Sequence, residues 1–214
     1  MTDEAPKVGR RMRLAAVVLA AGSASRFGDV KAVARLDGQP LLQHVLDAAA
    51  ASTVDECVVV LGAAADRIEA ALNWRQERRV TNPHPEAGLS SSLQAGLRAL
   101  GTEVDGALVL LGDQPRVTRA TIERVIVAWR STRPPIVAAR YSDDAAPNPV
   151  LLDREVWPLA MALEGDRGMG PVIRRNPELV TEVAVTGENP DVDTPADLAR
   201  LERSVRPDDG GGIR

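Results

Sequence analysis

Cysteine occurs once in the 214-residue sequence, so no disulfide can form within the chain. Cys57 lies in the apolar run Glu56–Leu61, where we expect a small core side chain rather than a nucleophile. Histidine is almost as rare. His44 falls in a helical pattern and His84 between two prolines, which favours structural or surface roles for both. Neither histidine needs to play a catalytic part.

Aromatic residues are also few, and the net charge is −4, with 30 acidic residues against 26 basic ones. Nucleic-acid binding usually needs a basic face and stacking rings, so we expect no nucleic-acid partner. No run approaches the roughly 20 apolar residues that span a bilayer, which excludes a membrane-spanning helix. The five aromatic residues are Phe27, Trp74, Trp129, Tyr141 and Trp157.

Lysine is nearly absent. The two lysines are Lys7 and Lys31, and all other Lys or Arg positions are arginines. One interpretation is that arginine is favoured throughout and Lys31 survives by chance. The other is that its compact ammonium contacts a phosphate.

The amino-terminal region allows two interpretations. Arginines 10, 11 and 13 precede the apolar run 14–21, which outlines a short secretory signal. We favour a buried first strand and a cytoplasmic protein, because the run is only eight residues long and continues into charged residues. We expect a disordered leader over residues 1–12, one domain over 13–204 and a disordered tail over 205–214.

Apolar runs alternate with helical patterns, which predicts an α/β fold: one domain of three layers around a mostly parallel sheet. Thr194, Pro195 and Asp197 form a helix-start signal of the capping-box type. Predicted strands are Leu14–Ala20, Glu56–Leu61, Ala107–Leu111, Pro135–Ala139, Val150–Leu152 and Glu182–Val185. Predicted helices are Leu41–Ala51, Ala64–Leu72, Ser91–Leu100, Arg119–Arg130, Glu155–Leu163 and Pro195–Glu202.

Ligands of such sheets bind at the carboxyl ends of the strands. The loop after the first predicted strand is rich in small residues from Ala21 to Ser25, which lets backbone N–H groups approach an anion. Arg26 and Lys31 follow within reach of one polyphosphate. The segment has neither the Walker pattern nor the spaced glycines of dinucleotide-binding proteins. A small-residue turn followed by solvated charges is the alternative.

This segment, Leu19-Ala-Ala-Gly-Ser-Ala-Ser-Arg26-Phe-Gly-Asp-Val-Lys31, resembles the signature of the MobA-like nucleotidyltransferases, and among them the molybdenum cofactor cytidylyltransferases. Three further blocks resemble that family in the same order: Gly88–Leu93, Leu111–Pro115 and Asp191–Leu198. The resemblance spans residues 14–202. It implies a nucleotide-diphospho-sugar transferase-like (Rossmann-like) fold.

Asp113 follows a predicted strand, where its carboxylate suits Mg²⁺, a cation that takes one or two carboxylates plus substrate phosphates. Asp113 could instead open a turn with Pro115. The resemblance implies that Asp191 or Asp193 completes the metal site, although either could cap the helix that follows Thr194.

The expected reaction is attack by a phosphate of the acceptor on the α-phosphorus of a nucleoside triphosphate, with release of pyrophosphate. A phosphate monoester has a second pKa of about 6, so no general base is needed. The resemblance implies CTP and molybdopterin cofactor as substrates, with a molybdenum hydroxylase as the possible client enzyme. Leu-Ala-Ala-Gly, where guanylyltransferases have Leu-Ala-Gly-Gly, favours cytidine.

Ser90–Ser92 open a predicted helix, where they could bind the nucleotide or serve as N-caps. The catalytic set implied by the resemblance is Arg26, Lys31 and Asp113, and the metal set is Asp113, Asp191 and Asp193. The implied nucleotide-binding set is Leu19, Ala20, Ala21, Gly22, Ser23, Arg26, Lys31, Gly62, Gly88 and Ser92.

The part of the chain expected to bind the acceptor, here called the acceptor half, departs from the family's sequence pattern. The segment Asn148-Pro-Val-Leu-Leu152 stands where the cytidylyltransferases usually have Gly-His-Pro-Val-Leu-Phe, so the glycine, the histidine and the phenylalanine are all changed. Gly165–Gly168 does match the family's Gly-Asp-x-Gly pattern. Three alternatives remain: another phosphorylated acceptor such as a sugar phosphate or phospholactate, an NAD(P)H oxidoreductase like the relatives that act on nicotine blue, or a non-catalytic maturation factor.

Overall fold

The computed structural model describes residues 10–22, 27, 29–142 and 146–205. The strands are β1 (Leu14–Ala20), β2 (Arg35–Leu36), β3 (Gln39–Pro40), β4 (Glu56–Leu61), β5 (Arg78–Thr81), β6 (Gly106–Leu111), β7 (Ile136–Arg140), β8 (Val150–Asp153) and β9 (Val180–Ala184). The helices are α1 (Leu41–Ala50), α2 (Ala65–Ala71), α3 (Leu89–Ala99), α4 (Arg119–Thr132), α5 (Trp157–Met161), α6 (Gly170–Arg175) and α7 (Pro195–Val205).

Seven strands form the central sheet in the order β5-β4-β1-β6-β8-β7-β9. Strand β8 pairs antiparallel with both of its neighbours, and every other pairing is parallel. Strands β2 and β3 form a separate small hairpin. The mostly parallel sheet expected from the apolar runs is therefore confirmed.

Strand β1 lies near the middle of the sheet and is apolar on both faces. Ala16 and Val18 pack into a cluster with α1, α2 and α4, and Val17 and Leu19 pack into a cluster with α3, α5 and α6. A strand covered on both faces has no solvent side, which explains its continuous apolar sequence. The predicted three layers are confirmed.

A third, smaller cluster of buried residues joins β2, α1 and α7. Leu36, Leu41, Val192 and Leu201 are all at most 4% exposed. The turn before α7 has the predicted capping box, because Thr194 Oγ1 accepts from the Asp197 N–H at 3.2 Å and Asp197 Oδ2 accepts from the Thr194 N–H at 2.9 Å. Capping and packing together hold residues 191–193 in place.

The sequence patterns missed several elements. Strand β5 begins with the exposed Arg78 and Arg79 and lies at the sheet edge, so it lacks the apolar pattern of a central strand. The β2–β3 hairpin and α6, which opens with Gly170 and Pro171, were missed as well. The predicted helix Glu155–Leu163 is a 3₁₀ turn followed by the short α5.

The segment before β1 contacts the domain. Arg10 pairs with Asp105 at 2.5 Å and Arg11 with Asp55 at 2.8 Å, although both arginines fall within the predicted leader. Among the residues that the structure describes, none of the helices is long and apolar enough to cross a membrane.

Candidate active site

A cavity of about 550 Å³ opens at the carboxyl ends of β1 and β6. This is the edge of the sheet where a mostly parallel fold places its ligand. The lining residues come from the loops after β1 and β6, the start of α3 and the segment before α7: Leu19, Ala20, Ala21, Gly22, Phe27, Lys31, Ala32, Pro85, Glu86, Gly88, Leu89, Ser92, Leu111, Gly112, Asp113, Asp166, Asp191 and Asp193.

Two glycines let the loops at this edge approach each other. The Gly112 N–H donates to the Leu19 carbonyl oxygen at 2.9 Å, which joins the end of β1 to the loop after β6. A Cβ atom at Gly62 would lie 2.5 Å from the carbonyl oxygen of Ala21. Gly62 therefore supports the small-residue loop from behind, and it is not among the lining residues.

The Lys31 ammonium bridges two carboxylates on the cavity wall. Its Nζ lies 2.5 Å from Asp113 Oδ2 and 2.9 Å from Asp193 Oδ1. Burial lowers the pKa of Lys31, but the negative charges of Asp113 and Asp193 outweigh burial, so the net pKa is raised. Lys31 is therefore a permanent positive charge at neutral pH.

Asp191 is the third carboxylate of this group, and it accepts a hydrogen bond from Gln114 Nε2 at 2.8 Å. It is open to the cavity, but surrounding protein atoms displace part of its hydration. This burial raises the pKa of Asp191, and the negative charges of Asp113 and Asp193 raise it further. The electrostatic environment of Asp191 thus favours a positive ion beside it.

The described lining residues are acidic overall. They include five carboxylates, from Glu86, Asp113, Asp166, Asp191 and Asp193, and one ammonium, from Lys31. The part of the chain that the structure describes contains no group of three or more His, Cys, Asp or Glu side chains arranged to hold a metal ion. The carboxylate oxygens suit a divalent cation such as Mg²⁺, which takes one or two protein carboxylates and completes its coordination with water and, when substrate is bound, with phosphate oxygens.

The start of α3 is held by the loop that contains Gly165 and Asp166. Ser90 Oγ donates to the Gly165 carbonyl oxygen at 2.8 Å, and the Leu89 N–H donates to Asp166 Oδ1 at 3.3 Å. Ser92 Oγ accepts from Asn82 at 3.1 Å and lines the cavity. Of the two serines, Ser92 is the one available to a nucleotide.

Most of the implied site residues meet at this cavity. Ser23 and Arg26 lie outside the described residues, and Gly62 lies behind the wall. The lining includes Leu19, Ala20, Ala21, Gly22, Lys31, Gly88, Ser92, Asp113, Asp191 and Asp193. The sequence patterns indicated no role for Glu86, Asp166 or Gln114, although Asp166 lies in the Gly165–Gly168 match and Gln114 in the Leu111–Pro115 block.

The fold and the cavity together define a nucleotide-diphospho-sugar transferase-like domain. The family model described as the MobA-like NTP transferase domain matches residues 16–183. The chain therefore belongs to the MobA-like NTP transferase family, as the four sequence blocks predicted.

Three known proteins illustrate the similarity. The nicotine blue oxidoreductase of Paenarthrobacter nicotinovorans is 33% identical over 195 residues, which cover 86% of this chain and 94% of that protein. The structure of Rv0371C from Mycobacterium tuberculosis H37Rv complexed with manganese has a TM-score of 0.79 at 31% identity, covering 91% of this chain and 100% of that one. A nucleotidyl transferase from Methanothermobacter, Mth528, has a TM-score of 0.75 at 27% identity, covering 90% and 97%.

Proposed function

We propose that this protein is a Mg²⁺-dependent cytidylyltransferase that moves CMP from CTP to the phosphate of molybdopterin cofactor and releases pyrophosphate. The observation that carries the proposal is the bridge of Lys31 between Asp113 and Asp193 on the wall of a nucleotide-sized cavity. This bridge brings together a cation that can bind phosphate and carboxylates that can bind a metal ion. It lies at the carboxyl ends of the strands, where ligands of such sheets bind.

Asp113, together with Asp191 or Asp193, would hold the divalent cation. When bound, the cation would neutralise charge on the triphosphate and on the departing pyrophosphate. Support comes from the excess of carboxylates over positive charge in the described lining. Further support comes from the manganese in the related Rv0371C structure.

Lys31 has two successive roles in this proposal. Without nucleotide, its ammonium is paired with Asp113 and Asp193. When a triphosphate enters, Lys31 exchanges at least one carboxylate for a phosphate oxygen. The exchange keeps the ammonium paired throughout, which avoids leaving a partly buried charge without a partner.

The acceptor needs no catalytic histidine, because an ionised phosphate monoester is itself the nucleophile. The two histidines fit this mechanism. His44 Nε2 lies 3.0 Å from the carbonyl oxygen of Leu36, and the His84 side chain is 74% exposed. The protein's contribution is to orient the two substrates and neutralise charge. Arg26, which lies outside the described residues, is the second cation proposed for the triphosphate.

Cytidine preference is proposed from the Leu-Ala-Ala-Gly segment, whose Ala21 and Gly22 line the cavity. The product would pass to a molybdenum hydroxylase. A sugar phosphate or phospholactate is the alternative acceptor, because Asn148 and its neighbours differ from the family pattern.

The test is pyrophosphate release from CTP, GTP, ATP and UTP with Mg²⁺ and purified molybdopterin cofactor. We expect a CTP-selective signal that Asp113→Asn abolishes while the melting temperature stays close to that of the wild type. No release with any triphosphate would refute cytidylyl transfer to this acceptor. Pyrophosphate release with a sugar phosphate in place of molybdopterin cofactor would refute the proposed acceptor but support nucleotidyl transfer.

A second function is favoured by the 33% identity to nicotine blue oxidoreductase over 86% of this chain. It would require NAD(P)H to bind and transfer a hydride to a dye. Consumption of NADH or NADPH with nicotine blue, followed at 340 nm, separates the two functions. Oxidation that persists in Asp113→Asn, without pyrophosphate release in the wild type, would favour the oxidoreductase.

A further inference from the structure

A buried carboxamide lies behind the acidic wall of the cavity. The Gln114 side chain, 5% exposed, accepts hydrogen bonds at Oε1 from Asn148 Nδ2 and from Asn189 Nδ2, the latter at 3.0 Å. Its Nε2 donates to Asp191 Oδ1 at 2.8 Å. The two asparagines are 7% and 4% exposed, so these bonds form away from bulk water.

The direction of these bonds follows from Asp191. An ionised carboxylate only accepts hydrogen bonds, so the amide of Gln114 must present its NH₂ group to Asp191. Its oxygen then faces the two asparagines, which must present their own NH₂ groups. Rotating the Gln114 amide would place oxygen against carboxylate and NH₂ against NH₂, which would lose the hydrogen bonds at both ends of this buried side chain.

Asp191 differs from Asp193 in what it contacts. Asp193 bonds to the Lys31 ammonium at 2.9 Å, whereas a neutral donor behind the cavity wall holds one oxygen of Asp191. The backbone beside Asp191 is also fixed, because the Val192 N–H donates to the Asp113 carbonyl oxygen at 3.0 Å. Among the described residues, the hydrogen bond that orients Asp191 thus comes from a neutral amide, whereas the one to Asp193 comes from a cation.

We propose that Asn148, acting through Gln114, is a positioning residue that orients Asp191 for the divalent cation. Asn148 lies in the acceptor half of the chain, immediately before Pro149 and β8, so this relay links that half to the metal carboxylates. The inference deepens the proposed function and rests on its assignment of Asp191 to the metal. Partners behind a metal ligand typically change metal affinity by 10–100-fold.

The experiment measures Mn²⁺ affinity of the full chain by the EPR signal of free Mn²⁺, without nucleotide. Asn148→Leu keeps the branched shape of the side chain and removes its hydrogen-bond donor. We expect Mn²⁺ binding to weaken by about tenfold. In an Asp191→Asn background the same substitution should have no further effect, because the carboxylate that it orients is gone.

The matched control is Asn176→Leu. Asn176 also donates its side-chain N–H, to the Val172 carbonyl oxygen at 2.8 Å, but it lies in the turn after α6, outside the cavity lining. Mn²⁺ affinity should stay at the wild-type value in this variant. If Asn148→Leu does not fold, Asn148→Ala takes its place in the same cycle.

Unchanged Mn²⁺ affinity in Asn148→Leu would overturn the relay while leaving the metal site intact. So would an equal loss in both backgrounds, because it would indicate a general effect on packing. If Asp191→Asn by itself leaves Mn²⁺ affinity unchanged, the proposed metal role of Asp191 fails, and the relay fails with it. Pyrophosphate release by the wild type then decides separately whether the proposed function survives.

Discussion

The backbone N–H of Val192 donates to the carbonyl oxygen of Asp113 at 3.0 Å. This bond joins the loop after β6 to the segment before α7. The Val192 side chain is 0% exposed and packs with Leu36 and Leu201, while Asp191 and Asp193 on either side of it face the cavity. Apolar packing under α7 therefore places two carboxylates beside a third.

Val192→Ala is expected to destabilise the fold by about 2 kcal/mol, because it removes two buried methyl groups and leaves a cavity. It should also weaken Mn²⁺ binding, since Asp191 and Asp193 lose their anchor. The control is Val45→Ala, which removes the same fully buried side chain from another cluster. Urea unfolding and Mn²⁺ titration check this, and an equal change in Mn²⁺ affinity in both variants would contradict it.

Lys31→Met is expected to change two affinities in opposite directions. CTP binding should weaken by roughly tenfold or more, because a hydrogen bond to a charged group contributes about 1.5–3 kcal/mol. Mn²⁺ binding without nucleotide should tighten, since the ammonium no longer occupies Asp113 and Asp193. Calorimetric titration with each ligand measures both effects. Weaker binding of both ligands would show that Lys31 supports the structure instead of exchanging partners.

Gly88→Ala is expected to separate the start of α3 from the loop at Gly165. Gly88 has φ +93°, and a Cβ atom there would lie 2.5 Å from the Gly165 carbonyl carbon. Gly187→Ala is the matched control, since Gly187 has φ +86° but open space around its Cβ position. Both variants carry backbone strain of about 1–3 kcal/mol. A larger loss of stability in Gly88→Ala, measured by urea unfolding, checks the contact, and equal losses would argue against it.

Cys57 is expected to resist alkylation in the folded protein. Burial, followed by the negative charges of Glu77 and Glu56, raises the pKa of its thiol to about 12. At pH 8 the reactive thiolate is therefore scarce in the native state, and unfolding in urea should restore ordinary reactivity. Iodoacetamide labelling followed by mass spectrometry gives a clear result, because the chain has one cysteine. Equal labelling rates in both states would refute the shift.

Asp47→Asn is expected to destabilise the protein more at pH 7 than at pH 3. Burial raises the pKa of Asp47, but hydrogen bonds from Arg75, Gln43 and Gln39 outweigh burial, so its net pKa falls below the ordinary value. A lowered carboxylate pKa contributes stability above the unfolded pKa of about 3.9, and that contribution is lost as the pH falls through the folded pKa.

Urea midpoints of Asp47→Asn and wild type at the two pH values give the comparison. The substitution Glu202→Gln at an exposed carboxylate of α7 serves as the control. A difference between Asp47→Asn and wild type that is the same at pH 3 and pH 7 would rule out an ionic origin.

The central strands were predictable because burial on both faces imposes a continuous apolar run. Strand β1 has the predicted bounds Leu14–Ala20, and β4 has the predicted bounds Glu56–Leu61. Strand β5 was missed because an edge strand tolerates Arg78 and Arg79, whose side chains reach solvent. Local signals at helix ends were reliable where side chain and backbone interact directly, as at Thr194 and Asp197.

The sequence by itself determined the family, the alternation of strands and helices, and the loops that carry Lys31 and Asp113. These features depend on residue type, periodicity and short spacing, which are local properties of the chain. Only the tertiary structure decided that β8 runs antiparallel, that Gly62 stands behind the cavity wall and that Gln114 directs its amide at Asp191. Such contacts join residues far apart in sequence, and the packing of the whole domain selects them.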